Sequence, residues 1–330
     1  MDSQKYMAQI TAALNSAVAI AKNENNGKVA DYIPELANVD TEYTAAAIKL
    51  ADGDFVAVDD NPEHKFTMQS VSKTVIFIGL MEEYGAEKVY SWIRTEPTGR
   101  NFASISHLDS FGPLPSNPFV NAGAIALSSH IPGASTEEQL QWIDKWVTKL
   151  FGEKLEINTA VFNSELATSD KNRALAYLMR SNGVIVGDIE EILIPYINLC
   201  SYELGINTAT NLPLLLANGG LDCSGNRIIS EETAKQTVAL MATCGLYDES
   251  GTYLVHTGMP AKSGVSGLII AVATGRGGIA VFNHKVNEKG NSVRGYLMLR
   301  ELSENLDWHF AAPWGYSRLD SKLHLDQKYV

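Results

Sequence analysis

The first stretch of the chain repeats its apolar residues at helical spacing. Between residues 4 and 22, Met7, Ile10, Ala13, Leu14 and Ala17 fall on one side of a 3.6-residue turn, which predicts an amphipathic helix. NENNGK ends it, and the short segment VADYIPELANV that follows is broken by Pro34. Two β-prone runs come next, TAAAIKL and DFVAV, split by Ala51-Asp52-Gly53. Asp-Gly between such runs signals a hairpin, because these residues accept the positive φ of a tight turn.

From Ser70 to about Leu246 the pattern is mostly helical. VSKTVIFIGLMEEYGAEKVYSWI fits one long helix or two. TEEQLQWIDKWVTKLFG opens on Thr136 as its cap, and SDKNRALAYLMRSNG runs from a Ser or Asp cap to Gly183. DIEEILIPYINLCSYEL and SEETAKQTVALMATCG repeat the pattern, the second with Ser230 and Thr233 approximating a capping box. After residue 260 the character changes. SGLIIAVAT and GIAVFNHKV are β-rich and flank Gly275-Arg276-Gly277-Gly278, a second hairpin candidate, and VRGYLMLRELSENL reads as a last helix.

The early and late strands are therefore expected to share one mainly antiparallel sheet, with the helical block inserted between them. The fold class is α+β, an α/β/α sandwich in a single domain over 1–330. Segments 1–68 and 255–330 form its sheet-containing part and 69–254 its helical part.

Composition narrows the function. With 330 residues, 45% hydrophobic and 19% charged, the chain can bury a large core. Its net charge of −12 argues against nucleic acid or an anionic membrane as partner. The N-terminus lacks the basic stretch and unbroken apolar run of a signal peptide, and no run approaches a membrane span. Cys200, Cys223 and Cys244 form no CxxC pair, so they read as core thiols in a reducing cytoplasm. No phosphate loop, GxGxxG or HExxH occurs, and the seven histidines show no metal-ligand spacing. No cofactor or metal is expected, and His256 and His284 read as structural or surface residues. A GxSxG elbow also fails, since Leu268 follows Gly264-Val265-Ser266-Gly267.

Ser70-Val71-Ser72-Lys73 is the only SxxK in the chain. The bland reading is a helix cap followed by a solvated first-turn lysine. The neighbours argue otherwise, because residues 74 to 80 are almost wholly apolar and predict a buried helix. A lysine there is costly to desolvate unless paired or neutral. Three residues apart on a helix, it reaches the serine, and a desolvated lysine has the lowered proton affinity of a base. N–H groups at the helix start can meet an oxyanion. A second piece, Lys262-Ser263-Gly264, precedes the run LIIAVAT. SxxK and K-[ST]-G occur together in serine acyl-transfer enzymes of the penicillin-recognising type. Tyr196-Ile197-Asn198 lies between them as a YxN element, with Ser224-Gly225-Asn226 as a rival SxN.

These words sit within longer ones: GKVADYIPELA (27–37), FTMQSVSK (66–73), NPFVNAGAI (117–125), FNSELATSDKNRALAYLMRSNG (162–183), YINLCS (196–201), ATCGLYDESG (242–251) and GMPAKSGVSG (258–267). In order and across nearly the whole chain, they resemble the serine-dependent glutaminases, which share the β-lactamase-like fold. The resemblance implies cofactor-free hydrolysis of L-glutamine to L-glutamate and ammonia by a homodimer or homotetramer. It implies Ser70 as nucleophile and Lys73 as the partner that activates it. It further implies Asn121, Glu165 and Asn172 as substrate-binding residues, Tyr196 and Tyr247 as active-site tyrosines, and Tyr32 near the substrate. Val265 is implied as the residue whose N–H completes an oxyanion hole with that of Ser70.

The chemistry suits an amino-acid zwitterion, with Glu165 for the ammonium and Asn121, Asn172 and tyrosine hydroxyls for the carboxylate. Either Tyr196 or Tyr247 would pass a proton to the leaving ammonia. In one departure, Ser266-Gly267-Leu268 stands where the family usually has a glycine-rich run, so strand packing or pocket shape is expected to differ there. Two alternatives remain: a penicillin-recognising peptidase or β-lactamase, disfavoured by Glu165, and a non-catalytic amino-acid sensor, disfavoured by the intact Ser70 and Lys73.

Overall fold

The computed structural model describes residues 3–99, 103–105, 108 and 112–312. Among these the strands are β1 (Ala45–Leu50), β2 (Phe55–Asp59), β3 (Phe66–Thr67), β4 (Glu156–Ile157), β5 (Tyr202–Leu204), β6 (Ala261–Ser263), β7 (Leu268–Ala273) and β8 (Gly277–Phe282). Five form one antiparallel sheet in the order β2-β1-β8-β7-β6. The early hairpin thus joins the late one through β1 and β8, with Ala47 opposite Ala280 and Ile48 opposite Ile279.

Side chains alternate across a strand, and both faces of this sheet are covered. Ala45, Ala47, Ile270, Val272, Ala280 and Phe282 join the core of the helical block. Ala46, Ile48, Ile269, Ala271, Ile279 and Val281 pack against the two terminal helices, Ser3–Ala21 and Val293–Leu306. The result is the expected α/β/α sandwich. No helix among the described residues is long and apolar enough to cross a membrane.

The helical block is built around Lys73–Val89, whose residues from Lys73 to Met81 are all buried. Gly85 breaks this helix with φ 76° and ψ 164°, a conformation glycine takes without steric cost, so the long apolar segment is two helices. Pro34 does not interrupt a helix but opens a one-turn one, Pro34–Ala37. Ser135, not Thr136, caps Thr136–Phe151, accepting from the Glu138 N–H. Ser230 caps Glu231–Cys244 through the Thr233 N–H, while its own N–H donates to Glu82 rather than to Thr233. The segment DIEEILIPYINLCSYEL stops being helical at Cys200, and Tyr202–Leu204 becomes β5 between β3 and β4. Strands of two or three residues carry too little alternation to be read from sequence. Cys200 and Cys244 are buried as expected, but Cys223 is exposed, on the turn that Asp222 closes by accepting from the Ser224 and Asn226 N–H groups. That turn holds the rival Ser224-Gly225-Asn226, which is not part of the cavity described next.

Candidate active site

Ser70 stands on a tight turn, Gln69–Ser72, that feeds directly into Lys73–Val89. Gln69 has φ 45°, an unusual value for a residue with a side chain. The turn is held from several sides: Ser72 Oγ donates to the Gln69 carbonyl at 2.8 Å, Thr74 Oγ1 to that of Val71 at 2.6 Å, and the Met68 N–H to that of Tyr202 at 2.9 Å. From the sheet side Gly264 presses against it. A Cβ at Gly264 would lie 2.6 Å from the Met68 carbonyl oxygen and 3.4 Å from the Ser70 nitrogen. Gly264→Ala must therefore push the strand off the serine turn. It is expected to lower kcat by about a hundredfold, the effect of a displacement on the order of 1 Å at a reacting group. Steady-state ammonia release checks this, and unchanged kcat would show that the contact does not set the geometry.

Ser70 opens into a cavity of about 490 Å3. Tyr32, Ser70, Asn121, Glu165, Asn172, Tyr196 and Val265, all singled out from sequence, line it. Lys73 lies fully buried, and its Nζ donates to Asn121 Oδ1 at 2.6 Å and to the Phe119 carbonyl at 3.3 Å. Burial pulls its proton affinity down, to a pKa of about 8. Asn121 passes the contact on, its Nδ2 donating to Asn172 Oδ1 at 3.0 Å. With that oxygen engaged, Asn172 has its amide N–H groups to offer a ligand.

Glu165 lies in the last turn of Thr159–Ala167, not at the start of Asp170–Ser181. A carboxylate is disfavoured at a helix C-terminus. Burial raises its pKa, while hydrogen bonds from Tyr32 and Gln69 oppose the rise. Tyr32 donates to Glu165 Oε1 at 2.7 Å, and its own pKa is driven well up by burial and by Glu165. Among the described residues no lysine or arginine forms an ion pair with Glu165. A half-buried carboxylate met only by neutral donors has unspent attraction for a cation.

The two tyrosines differ. Tyr196 is buried on Ile189–Cys200, and its pKa is raised by burial, then by Cys200, Glu165 and Tyr247. Tyr247 is not in the lining of the main cavity but beside it, with Phe119 and Cys244. Its hydroxyl donates to the Ser263 carbonyl at 3.4 Å. Burial pushes it up to about 12, against the pull of hydrogen bonds with Ser70 and Ser263.

Two participants have no role assigned to them from sequence. Gln69 reaches both Tyr32 and Glu165, and only its backbone conformation marks it. Lys262 was visible as the first letter of Lys262-Ser263-Gly264. It is fully buried, with its Nζ donating to the Ser263 and Gly245 carbonyls and lying 4.6 Å from the Tyr247 ring centroid. Burial, and the neighbouring charge of Lys73, hold its pKa well below the usual lysine value. The Ser266-Gly267-Leu268 departure leaves the cavity wall alone. Ser266 and Leu268 are buried in protein, and Val265 provides the lining.

The glutaminase family profile matches residues 27–310. A glutaminase from Legionella pneumophila (strain Lens) is 52% identical over 91% of this chain and 97% of its own length. Glutaminase 2 from Clostridium perfringens (strain 13 / Type A) is 41% identical over 86% and 93%. Among solved structures, a probable glutaminase, ybaS, superposes with a TM-score of 0.90 at 34% identity, covering 95% of this chain and all of that one. Mglu in its glutamate form gives 0.85 at 32% identity, over 90% of this chain and 69% of that one. Profile, relatives and structures agree over the same span as the cavity residues, and the chain belongs to the glutaminase family.

Proposed function

We propose that this protein hydrolyses the side-chain amide of L-glutamine to L-glutamate and ammonia through a glutamyl ester on Ser70. The observation that carries the reading is the pairing, in one cavity, of a serine backed by a buried lysine with a carboxylate that has no cationic partner among the described residues. Glu165 takes the α-ammonium. Asn172 and the hydroxyls around it take the α-carboxylate, which places the amide at Ser70. Neutral Lys73 accepts the Ser70 proton as Oγ attacks the amide carbon. The N–H groups of Ser70 and Val265 receive the oxyanion. Tyr247 hydrogen-bonds with Ser70, whereas Tyr196 answers Cys200 and Glu165, so Tyr247 is the better donor to the departing ammonia. The proton on Lys73 replaces the one Tyr247 gives up, and water then attacks the ester, passing its proton through neutral Lys73 to the departing Ser70 oxygen. The glutamate form of the similar protein Mglu supports this substrate class, and the free thiols Cys200, Cys223 and Cys244 support a reducing, cytoplasmic setting.

The test is ammonia release from L-glutamine by wild type and by Glu165→Gln. The variant is expected to raise KM about a hundredfold, the loss of a charge-assisted contact worth roughly 3 kcal/mol, with kcat within a few-fold. Glutaramate, which lacks the α-amine, should be an equally poor substrate for both. No ammonia from wild type would sink the reaction, and an unchanged KM would sink the role of Glu165.

A further inference from the structure

Among the described residues only three non-glycine residues have positive φ: Gln69, Tyr247 and Asp307. Two of these bracket the candidate nucleophile. A side chain persists in that conformation only where its surroundings over-determine it. For Tyr247 those surroundings lie outside the cavity.

Tyr247 begins the short turn Tyr247–Glu249. Two residues on, Glu249 Oε2 accepts from Asn291 Nδ2 at 2.5 Å and from Asn287 Nδ2 at 2.8 Å. Asn291 is fully buried and uses both ends of its amide. Nδ2 also donates to the Leu246 carbonyl at 3.2 Å, and Oδ1 accepts from Ser263 Oγ at 2.6 Å. The main chain of Ser263 carries the last link, its carbonyl accepting from Tyr247 and from Lys262. One amide thus ties together the residue before Tyr247, the carboxylate after it and the strand residue that its hydroxyl meets. Asn287 fixes this arrangement from the loop ahead of the last helix, its Oδ1 accepting the Asn291 N–H at 3.1 Å. Neither Glu249 nor Asn291 lines the Ser70 cavity. Glu249 instead lines a separate groove of about 920 Å3, between the segment 25–31 and the loop 286–288.

We propose that Glu249 and Asn291 are positioning residues that hold Tyr247 in its left-handed conformation with the hydroxyl aimed at Ser70. The inference rests on the reading of Tyr247 as the proton donor to ammonia. The carboxylate acts as a two-fold acceptor, and its charge is incidental. Glutamine at this position keeps one acceptor oxygen for the two asparagines, whereas alanine keeps none.

Four proteins test it: wild type, Tyr247→Phe, Glu249→Ala and Glu249→Gln. Glu249→Ala is expected to lower kcat about tenfold or more with KM within twofold, since a misplaced catalytic group costs turnover before binding. Its high-pH limb of kcat should fall below that of wild type as the loosened phenol becomes better solvated. Glu249→Gln should regain kcat to within about threefold of wild type, as the retained acceptor predicts. A purely structural role would lower the melting temperature of Glu249→Ala and leave both kcat and its pH limb in place, which overturns the proposal. Equal loss in the alanine and glutamine variants would also overturn it, by showing that charge matters. Full activity in Tyr247→Phe would overturn the underlying reading of the tyrosine. Impaired Tyr247→Phe beside unimpaired Glu249→Ala would overturn the positioning role alone.

Discussion

Ser70→Ala is expected to reduce kcat for L-glutamine by about 10,000-fold or more, the scale seen when a serine nucleophile is removed from an acyl-transfer site. At 1.36 kcal/mol per decade this is roughly 5 kcal/mol of barrier. In the proposed mechanism the covalent route closes, and what remains is hydrolysis assisted by the N–H groups of Ser70 and Val265 and by binding. Substrate affinity should change little, because Glu165, Asn172 and Tyr32 keep their places and the variant removes a single oxygen. The fold should also hold, since Ser72, Thr74 and Met68 support the Gln69–Ser72 turn without the Ser70 hydroxyl. The decisive pair of measurements is ammonia release, and calorimetric binding of L-glutamine to the variant. Lost turnover with retained binding fits a nucleophile. Undiminished turnover would end the ester mechanism, and lost binding would assign the serine to substrate recognition instead.

The sequence made the sheet and the terminal helices legible because both obey simple periodicities over enough residues. LIIAVA and GGIAVF are apolar on both faces since each face meets a helical layer. The last helix was readable almost to the residue. What was lost was local. β3 to β5 are too short to show a period, and their pairing depends on the small sheet they complete. Ser135 and Thr136 are adjacent hydroxyl residues, and only the backbone decides that Ser135 is the one that caps. The site followed the same division. SxxK and Lys262-Ser263-Gly264 spell out a candidate chemistry, so Ser70 and Lys73 are legible as a candidate pair. Gln69 and the Glu249–Asn291 contact are not, because their significance lies in a φ angle and in loops far apart in the chain. Tyr247 and Tyr196 could be ranked only once their partners were known.

Lys73→Met should lower kcat by about 100- to 10,000-fold, the usual contribution of a general base. The pH response identifies the cause. In wild type, activity should rise as Lys73 loses its proton near pH 8, and methionine should abolish that limb. Stability gives an independent check, with a fixed sign. Lys73 titrates at about 8 in the folded protein against an ordinary value of 10.5, so between these values the unfolded chain binds more protons. Folding stability of wild type therefore rises across that window, by about 3 kcal/mol from this group. Below pH 8 the folded state carries the whole cost of a charged lysine in apolar surroundings. Methionine removes the cost but leaves Asn121 Oδ1 and the Phe119 carbonyl without their donor, a loss of roughly 1–3 kcal/mol each. Near pH 7 the two effects oppose, and the variant should be about as stable as wild type despite losing a buried contact. Towards pH 10 wild type should pull ahead, as neutral Lys73 keeps its hydrogen bonds at no charge penalty. Urea midpoints at the two pH values measure the difference, and a gap that does not change with pH would mean that Lys73 is not held near neutrality. Lys262 sharpens the point. Part of its own depressed pKa, after burial, comes from Lys73. With methionine in place that repulsion is gone, and the pKa of Lys262 should climb. A base limb that moved upward instead of vanishing would then show Lys262 taking over the proton, and would place the lysine of β6 within reach of the chemistry.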